Sequence, residues 1–333
     1  MTPLDDLIAA AREAPRRIVL SEGEDVRIAE GAVRAHKDGT AHPILIGRAS
    51  EVADRLSSAG AGPAAFEIVD PVSASKRQDY AEAFYDLRKH KGVDEEAAFA
   101  AMNDPLQFAA MMVRQGDGDG TIGGAVATTG DTVRAALQLI GRAPGVATVS
   151  SFFLMMLYEH HHPKNEVVVF ADCGLIVEPT VEELAQIAMS SADSFTALVG
   201  ETPRIAMLSF STMGSARHDR VTRVVDATGI VKSARPDLLI DGEIQFDAAF
   251  VPHIGVSKAP ASPLGGEANV FVFPGLESAN IGYKIAQRIG GATAIGPILQ
   301  GLNRPANDLS RGCSVDDVYH LIAVTSVQAA ANS

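Results

Sequence analysis

The sequence predicts an α/β protein of two α/β/α sandwich domains, and the alternation of two apolar periods is what predicts it. Short continuous apolar runs, of which Val167-Val168-Val169-Phe170 is the clearest, suit strands of a parallel sheet covered on both faces. Between them lie longer segments with apolar residues at helical spacing, and a chain of 333 residues that is 47% apolar can bury a large core. No repeat of about 20–50 residues points to a solenoid.

In chain order the strands fall at Arg17–Leu20, Pro43–Ile46, Phe66–Val69, Val167–Phe170, Arg204–Ser209, Leu238–Ile240 and Asn269–Phe273. The helical patterns between them are Arg27–His36, Lys76–His90, Pro105–Arg114, Thr132–Ile140, Val181–Leu198, His218–Ser233 and Ala279–Ile289. A last helix is read from Ser314 as N-cap, with Asp317 three residues on and Val318, Leu321, Ile322, Val324 and Val327 at roughly helical spacing.

Composition narrows the function classes. The balance of 28 Lys+Arg against 41 Asp+Glu, net −13, argues against nucleic acid or an anionic membrane as partner, so an anionic substrate would need a local basic pocket. Cys173 and Cys313 are too few for a disulfide framework, which makes a reducing compartment the default. Met1 to Arg17 carries Asp5, Asp6 and Glu13 and lacks the apolar core of a secretory signal. The longest largely apolar stretch, Val146 to Tyr158, falls short of the ~20 residues of a spanning helix. A soluble, cytoplasmic protein is expected.

The segment richest in chemistry is Asn307-Asp308-Leu309-Ser310-Arg311-Gly312-Cys313-Ser314-Val315-Asp316-Asp317. An arginine beside a hydroxyl, just before a helix N-terminus with unpaired N–H groups, makes an anion site, because the guanidinium fork and the helix dipole favour the same oxyanion. Taken alone it also reads as a capped helix with a solvated arginine. Cys313, at the helix start, has a setting in which a thiol pKa is often lowered. Other motifs fall to plainer readings. Gly290-Gly291-Ala292-Thr293-Ala294-Ile295-Gly296 lacks the dinucleotide spacing, and no Walker-type Gly-Lys-Ser/Thr occurs. Asp117-Gly118-Asp119-Gly120 lacks the carboxylates that complete a calcium loop, and His160-His161-His162 has no helical metal spacing, so no metal is implied.

Further runs occur in order along the chain: Ser21-Glu22-Gly23-Glu24-Asp25, Asp86-Leu87-Arg88-Lys89-His90-Lys91-Gly92 and Gly123-Gly124-Ala125-Val126-Ala127-Thr128-Thr129-Gly130-Asp131-Thr132-Val133-Arg134. They continue with Ser209-Phe210-Ser211-Thr212-Met213-Gly214-Ser215-Ala216, Asp241-Gly242-Glu243-Ile244-Gln245-Phe246-Asp247-Ala248-Ala249, Asn280-Ile281-Gly282-Tyr283-Lys284 and Gly296-Pro297-Ile298-Leu299-Gln300-Gly301-Leu302. Together with the C-terminal segment they resemble the phosphate acetyltransferase (phosphotransacetylase) family, from about residue 15 onward. The resemblance implies two α/β/α sandwich domains with a cleft between them, the second inserted into the first. Crossings near residues 147 and 297 give a first domain of 1–147 plus 298–333 and an inserted domain of 148–297. The active site is then expected in the cleft.

The activity implied is exchange of an acetyl group between coenzyme A and phosphate. Coenzyme A enters as a substrate; acetyl-CoA, phosphate and acetyl phosphate are the partners, and a homodimer is usual. Carried over position by position, Arg88, Arg134, Ser310 and Arg311 bind phosphate and the coenzyme. Ser310 and Arg311 also count as catalytic, with the Ser310 hydroxyl and backbone N–H groups around Gly312 as donors to the oxyanion. Asp317 is the expected base for the thiol, although a carboxylate at that helix position also caps. No Gly-x-Ser-x-Gly elbow surrounds Ser310, and the resemblance implies direct attack by the coenzyme thiolate in a ternary complex. Three other readings stand beside this one: a non-catalytic acyl-CoA-sensing module, a butyryl-transferring relative, and an NAD-dependent dehydrogenase class of similar two-domain fold.

Overall fold

A computed structural model describes residues 2–331. The chain runs α1 (Pro3–Glu13), β1 (Arg16–Leu20), α2 (Val26–Asp38), β2 (Ala41–Ile46), α3 (Ala49–Ser58), β3 (Glu67–Val69), α4 (Arg77–Arg88), α5 (Glu95–Ala101), α6 (Pro105–Gln115), β4 (Gly120–Gly123) and α7 (Thr129–Ala135). It continues through β5 (Ser150–Leu157), β6 (Glu166–Ala171), α8 (Val181–Val199), β7 (Arg204–Leu208), α9 (Asp219–Ala234), β8 (Leu239–Ile244), α10 (Phe246–Phe250) and α11 (Pro252–Lys258). β9 (Val270–Val272), α12 (Leu276–Arg288), β10 (Thr293–Gln300), β11 (Ala306–Asp308) and α13 (Val315–Ala331) complete it.

Two compact units result. One is residues 5–144 with the chain from 302 onward; the other is residues 145–301 with the first residues of α1. The first unit holds a five-stranded sheet in the order β11-β4-β1-β2-β3, parallel throughout. Helices α2, α3 and α13 pack together and α4, α6 and α7 pack together, both groups reaching β1, so the sheet is covered on two faces. Packing of α2 on α13 is close because Gly31 has no side chain: a Cβ there would lie 2.5 Å from the Val318 methyl. That approach sets the start of α2 beside the segment leading into α13.

The second unit is a six-stranded sheet, β10-β5-β6-β9-β7-β8. Its four later strands are parallel, but β10 pairs β5 and β5 pairs β6 antiparallel. Phe153, Phe170 and Phe271 form its core with alanines of the covering helices, among them Ala248 and Ala279. The apolar run Val167–Phe170 therefore has a parallel neighbour on one side only. Gly296 and Pro297 lie inside β10, where its register against β5 shifts between Ile295 and Ile298. Pro297 is tolerated because β10 is an edge strand. The helix expected over Thr132–Ile140 starts earlier, at Thr129, and passes into a π-turn over Ala136–Ile140.

Candidate active site

In the parallel five-stranded sheet, β1 is flanked by β2 on one side and by β4 on the other. The chain leaves β1 for β2 and later returns to the opposite side for β4, which makes the carboxyl ends of β1 and β4 the topological switch point where such sheets bind ligands. Three segments meet there: the turn Ser21–Asp25 after β1, the loop Gly124–Thr128 after β4, and the run Leu309–Ser314 after β11, the neighbour of β4.

Two side chains that the sequence reading left without a role hold these segments. The Glu22 carboxylate accepts from three consecutive backbone N–H groups, Ala125 at 2.7 Å, Val126 at 3.1 Å and Ala127 at 2.7 Å. Arg27, in the first turn of α2, forks onto the Asp25 carboxylate at 3.0 and 2.8 Å and donates to the carbonyls of Ala125, Arg311 and Cys313. One guanidinium thus ties all three segments together, and it holds the Asp25 carboxyl below its ordinary pKa. No motif marks such a residue, since its tethers to the other two segments are to backbone carbonyls.

Ser310, Arg311 and Asp317 share this run. The Arg311 side chain is exposed and makes no hydrogen bond or ion pair among the described residues, while its carbonyl is fixed by Arg27. Ser310 is also exposed; its Oγ accepts from the Gly312 N–H at 3.2 Å, and its carbonyl accepts from the Cys313 N–H at 2.8 Å. The N–H groups of Gly312 and Cys313 are thus both engaged by Ser310 itself, and a bound oxyanion would compete with those bonds. The hydroxyl proton of Ser310 remains to be donated.

Asp317 forms a reciprocal capping box. Its Oδ2 accepts from Ser314 N at 2.8 Å and Ser314 Oγ at 2.9 Å, and its own N–H donates to Ser314 Oγ at 3.2 Å. Oδ1 has no hydrogen-bond partner among the described residues, so one oxygen caps the helix and the other is unengaged. Cys313 departs from expectation. Its thiol is 7% exposed, and burial pushes its pKa up, against a smaller opposing pull from Arg27. Desolvation outweighs the helix start.

Arg134 lies on α7, which packs against β11, and its exposed guanidinium pairs with Asp131 at 2.7 Å. Arg88 ends α4, half-buried and without a hydrogen bond or ion pair among the described residues. Among the described residues no hydrogen bond or ion pair joins Arg88 to the Ser310–Asp317 run, whereas α7 and that run both border β11. One further group stands beneath the run: Asp308, the last residue of β11, is buried with neither carboxylate oxygen hydrogen-bonded among the described residues. Among the described residues no group of three His, Cys, Asp or Glu side chains is arranged to hold a metal ion, and no helix is long and apolar enough to cross a membrane.

Comparison with known proteins adds a family. A family model described as phosphate acetyl/butaryl transferase matches residues 3–326. A phosphate acetyltransferase of Paracoccus denitrificans is 50% identical over 98% of this chain and 99% of its own, and one of Thermoanaerobacterium thermosaccharolyticum is 45% identical over 99% and 100%. Among solved structures, a phosphotransacetylase from Streptococcus pyogenes superposes with a TM-score of 0.91 at 44% identity, covering 98% of each chain.

Proposed function

The chain belongs to the phosphate acetyl/butaryl transferase family, and from that membership we propose that it is a phosphate acetyltransferase, moving an acetyl group reversibly between coenzyme A and inorganic phosphate. The observation that carries the reading is the unpartnered Arg311 guanidinium beside the Ser310 hydroxyl, on a run held rigidly by Arg27 at the switch point of a parallel sheet. A fork of donors with no acceptor among the described residues suits the phosphoryl oxygens of acetyl phosphate.

In the direction of acetyl-CoA, the coenzyme thiol gives its proton to Asp317, and the thiolate sulfur bonds to the acetyl carbonyl carbon. The carbonyl oxygen takes up negative charge and is met by the Ser310 O–H. The bond from carbon to the phosphate oxygen then breaks, and phosphate leaves with the electron pair, neutralised by Arg311. The reverse reaction retraces the steps. Arg134 and Arg88 serve as further cations for phosphate and coenzyme. Arg134 would exchange its Asp131 partner for the ligand, an inexpensive step because the pair is exposed. Both cysteines are free, in keeping with a reducing, cytoplasmic setting, and the working form is a homodimer.

The test is direct. Purified protein mixed with acetyl phosphate and coenzyme A should form thioester, read by its absorbance, and arsenate or phosphate should drive the reverse loss of acetyl-CoA. Absence of both would overturn the reading. Acetyl, propionyl and butyryl phosphates compared side by side will show which acyl group the site takes; butyryl transfer well above acetyl would assign it instead to the butyryl branch of the family.

A further inference from the structure

Asp308 is a cost that the fold does not need for its own sake. The carboxyl is 1% exposed, neither oxygen has a hydrogen-bond partner, and a buried carboxylate without donors is among the more expensive groups a protein can hold. Such a group is retained where it serves the site rather than the core. Its place supports that. It closes β11 two residues before Ser310, and it lies so close to Gly124 that a Cβ there, at φ +96°, would meet Oδ1 at 2.1 Å. The carboxyl therefore touches the bare backbone of the β4–α7 loop on one side and begins the Ser310–Arg311 run on the other.

We propose that Asp308 is a positioning residue of the site: in its ionised form it takes the hydroxyls of Thr129 and Thr132 as donors and so ties the Ser310–Arg311 run to the helix that carries Arg134. The proposal rests on the acetyl-transfer reading above. Both threonines belong to α7, which packs on β11. At present Thr132 Oγ1 donates to the Thr128 carbonyl at a long 3.3 Å, a bond it can give up by rotating about χ1. Two hydroxyl donors would satisfy the orphaned oxygens and fix Arg311 and Arg134 relative to one another.

Ionisation then sets the strength of the tie. Burial, with Glu22 adding repulsion, pushes the Asp308 pKa up to about 6; the hydroxyls of Thr129 and Thr132 are near enough to oppose this in part but fall short of hydrogen-bond geometry. Other ionisable groups on the elements around β11 are engaged elsewhere: Asp131 and Arg134 of α7 with each other, Asp316 of α13 with Arg34, and Asp317 in its capping box. His320 of α13 is half-buried, and its own pKa is lowered by burial. Protonation of Asp308 below about pH 6 removes an acceptor, and the two segments come apart.

The experiment is Asp308→Asn, read in turnover, pH profile and stability together. Turnover of the wild type should fall on the acid side through about pH 6, and in the variant that acid limb should vanish, with turnover at neutral pH lower by roughly 10–100-fold, the scale of misplacing reacting groups by about 1 Å. Above pH 6 the variant should melt higher than the wild type, because it no longer buries a charge. Unchanged turnover with the acid limb intact overturns the proposal, and so does lost turnover accompanied by lost stability, which is the mark of a merely structural residue. Should the variant fail to fold, Thr129→Val with Thr132→Val removes the donors and should reproduce the loss of turnover in a folded protein; full activity there also overturns it. A wild type with no acetyl transfer at any pH sinks the parent reading instead, while the melting comparison still reports on the buried charge.

Discussion

Cys313 has the position of a nucleophile and the surroundings of a structural thiol. It follows Arg311 by two residues at a helix start, yet it is buried, and burial raises its pKa. A thiol that stays protonated cannot carry the acetyl group, so Cys313→Ser should keep substantial turnover, and mass spectrometry after incubation with acetyl phosphate alone should find no acetyl group on the protein. An acetylated Cys313 would replace direct transfer with a two-step route. Asp317 poses the opposite question, because its capping role is visible and its basic role is not. In Asp317→Asn the side-chain oxygen can still accept from Ser314 N and Oγ, so the helix should survive. A pure cap therefore predicts near-normal turnover, whereas a base predicts a loss of roughly 10²–10⁴-fold. Full turnover with an unchanged pH profile would send the search for a base elsewhere.

Among the elements, those readable from sequence were those whose apolar pattern is long or unmixed, such as β6, α8 and α13. Strands β4 and β11 were not legible, for a physical reason. Gly120–Gly123 has only Thr121 and Ile122 between two glycines and Ala306–Asp308 has no strand-forming residue, so both become strands by parallel pairing, with each other and, for β4, with β1. β10 was hidden by Pro297, which only an edge position admits, and β5 read simply as an apolar stretch. Ser310, Arg311 and Asp317, the proposed site residues, stand out in the sequence because they lie in one continuous motif. Arg27 and Asp308 were not, since what defines them is burial and backbone partners. Arg27 carries the element-scale prediction. Arg27→Gln keeps a polar side chain but loses the fork onto Asp25 and most of the tethers to Ala125, Arg311 and Cys313. The cost in stability should be about 1–3 kcal/mol, and turnover should fall while the sheet's far-ultraviolet signature is kept. A variant of unchanged turnover would show that the Ser310–Arg311 run needs no such tether.

For the whole molecule the perturbed carboxyls fall into two sets that pull stability in opposite directions with pH. Glu24, held down to about 2 by Arg48, and Asp25, Asp117 and Asp247, lowered by their own partners, contribute stability that is present above their unfolded values and is lost as pH falls through the folded ones. Asp308, at about 6, and Asp172 and Glu166, raised chiefly by burial, behave in reverse: their contribution is complete below the unfolded values and is lost as pH rises through the folded ones. Half-buried His320, with its pKa lowered, opposes them in part, because the unfolded chain takes up a proton there as pH falls below its ordinary value of 6.5. The chain is also net −13 at pH 7 with a pI near 5.1, so mild acid relieves self-repulsion as well. Three raised carboxyls and the net charge outweigh one histidine, and the protein should therefore melt highest on the acid side of neutrality, at roughly pH 5–6, falling away on both sides. Thermal melts from about pH 4 to 8 test this, with the two units followed separately if they unfold in two steps. A melting temperature that climbs steadily to the alkaline end would mean that ionising the buried carboxyls costs the folded protein nothing, and an alkaline decline no shallower in Asp308→Asn than in the wild type would remove Asp308 from that set.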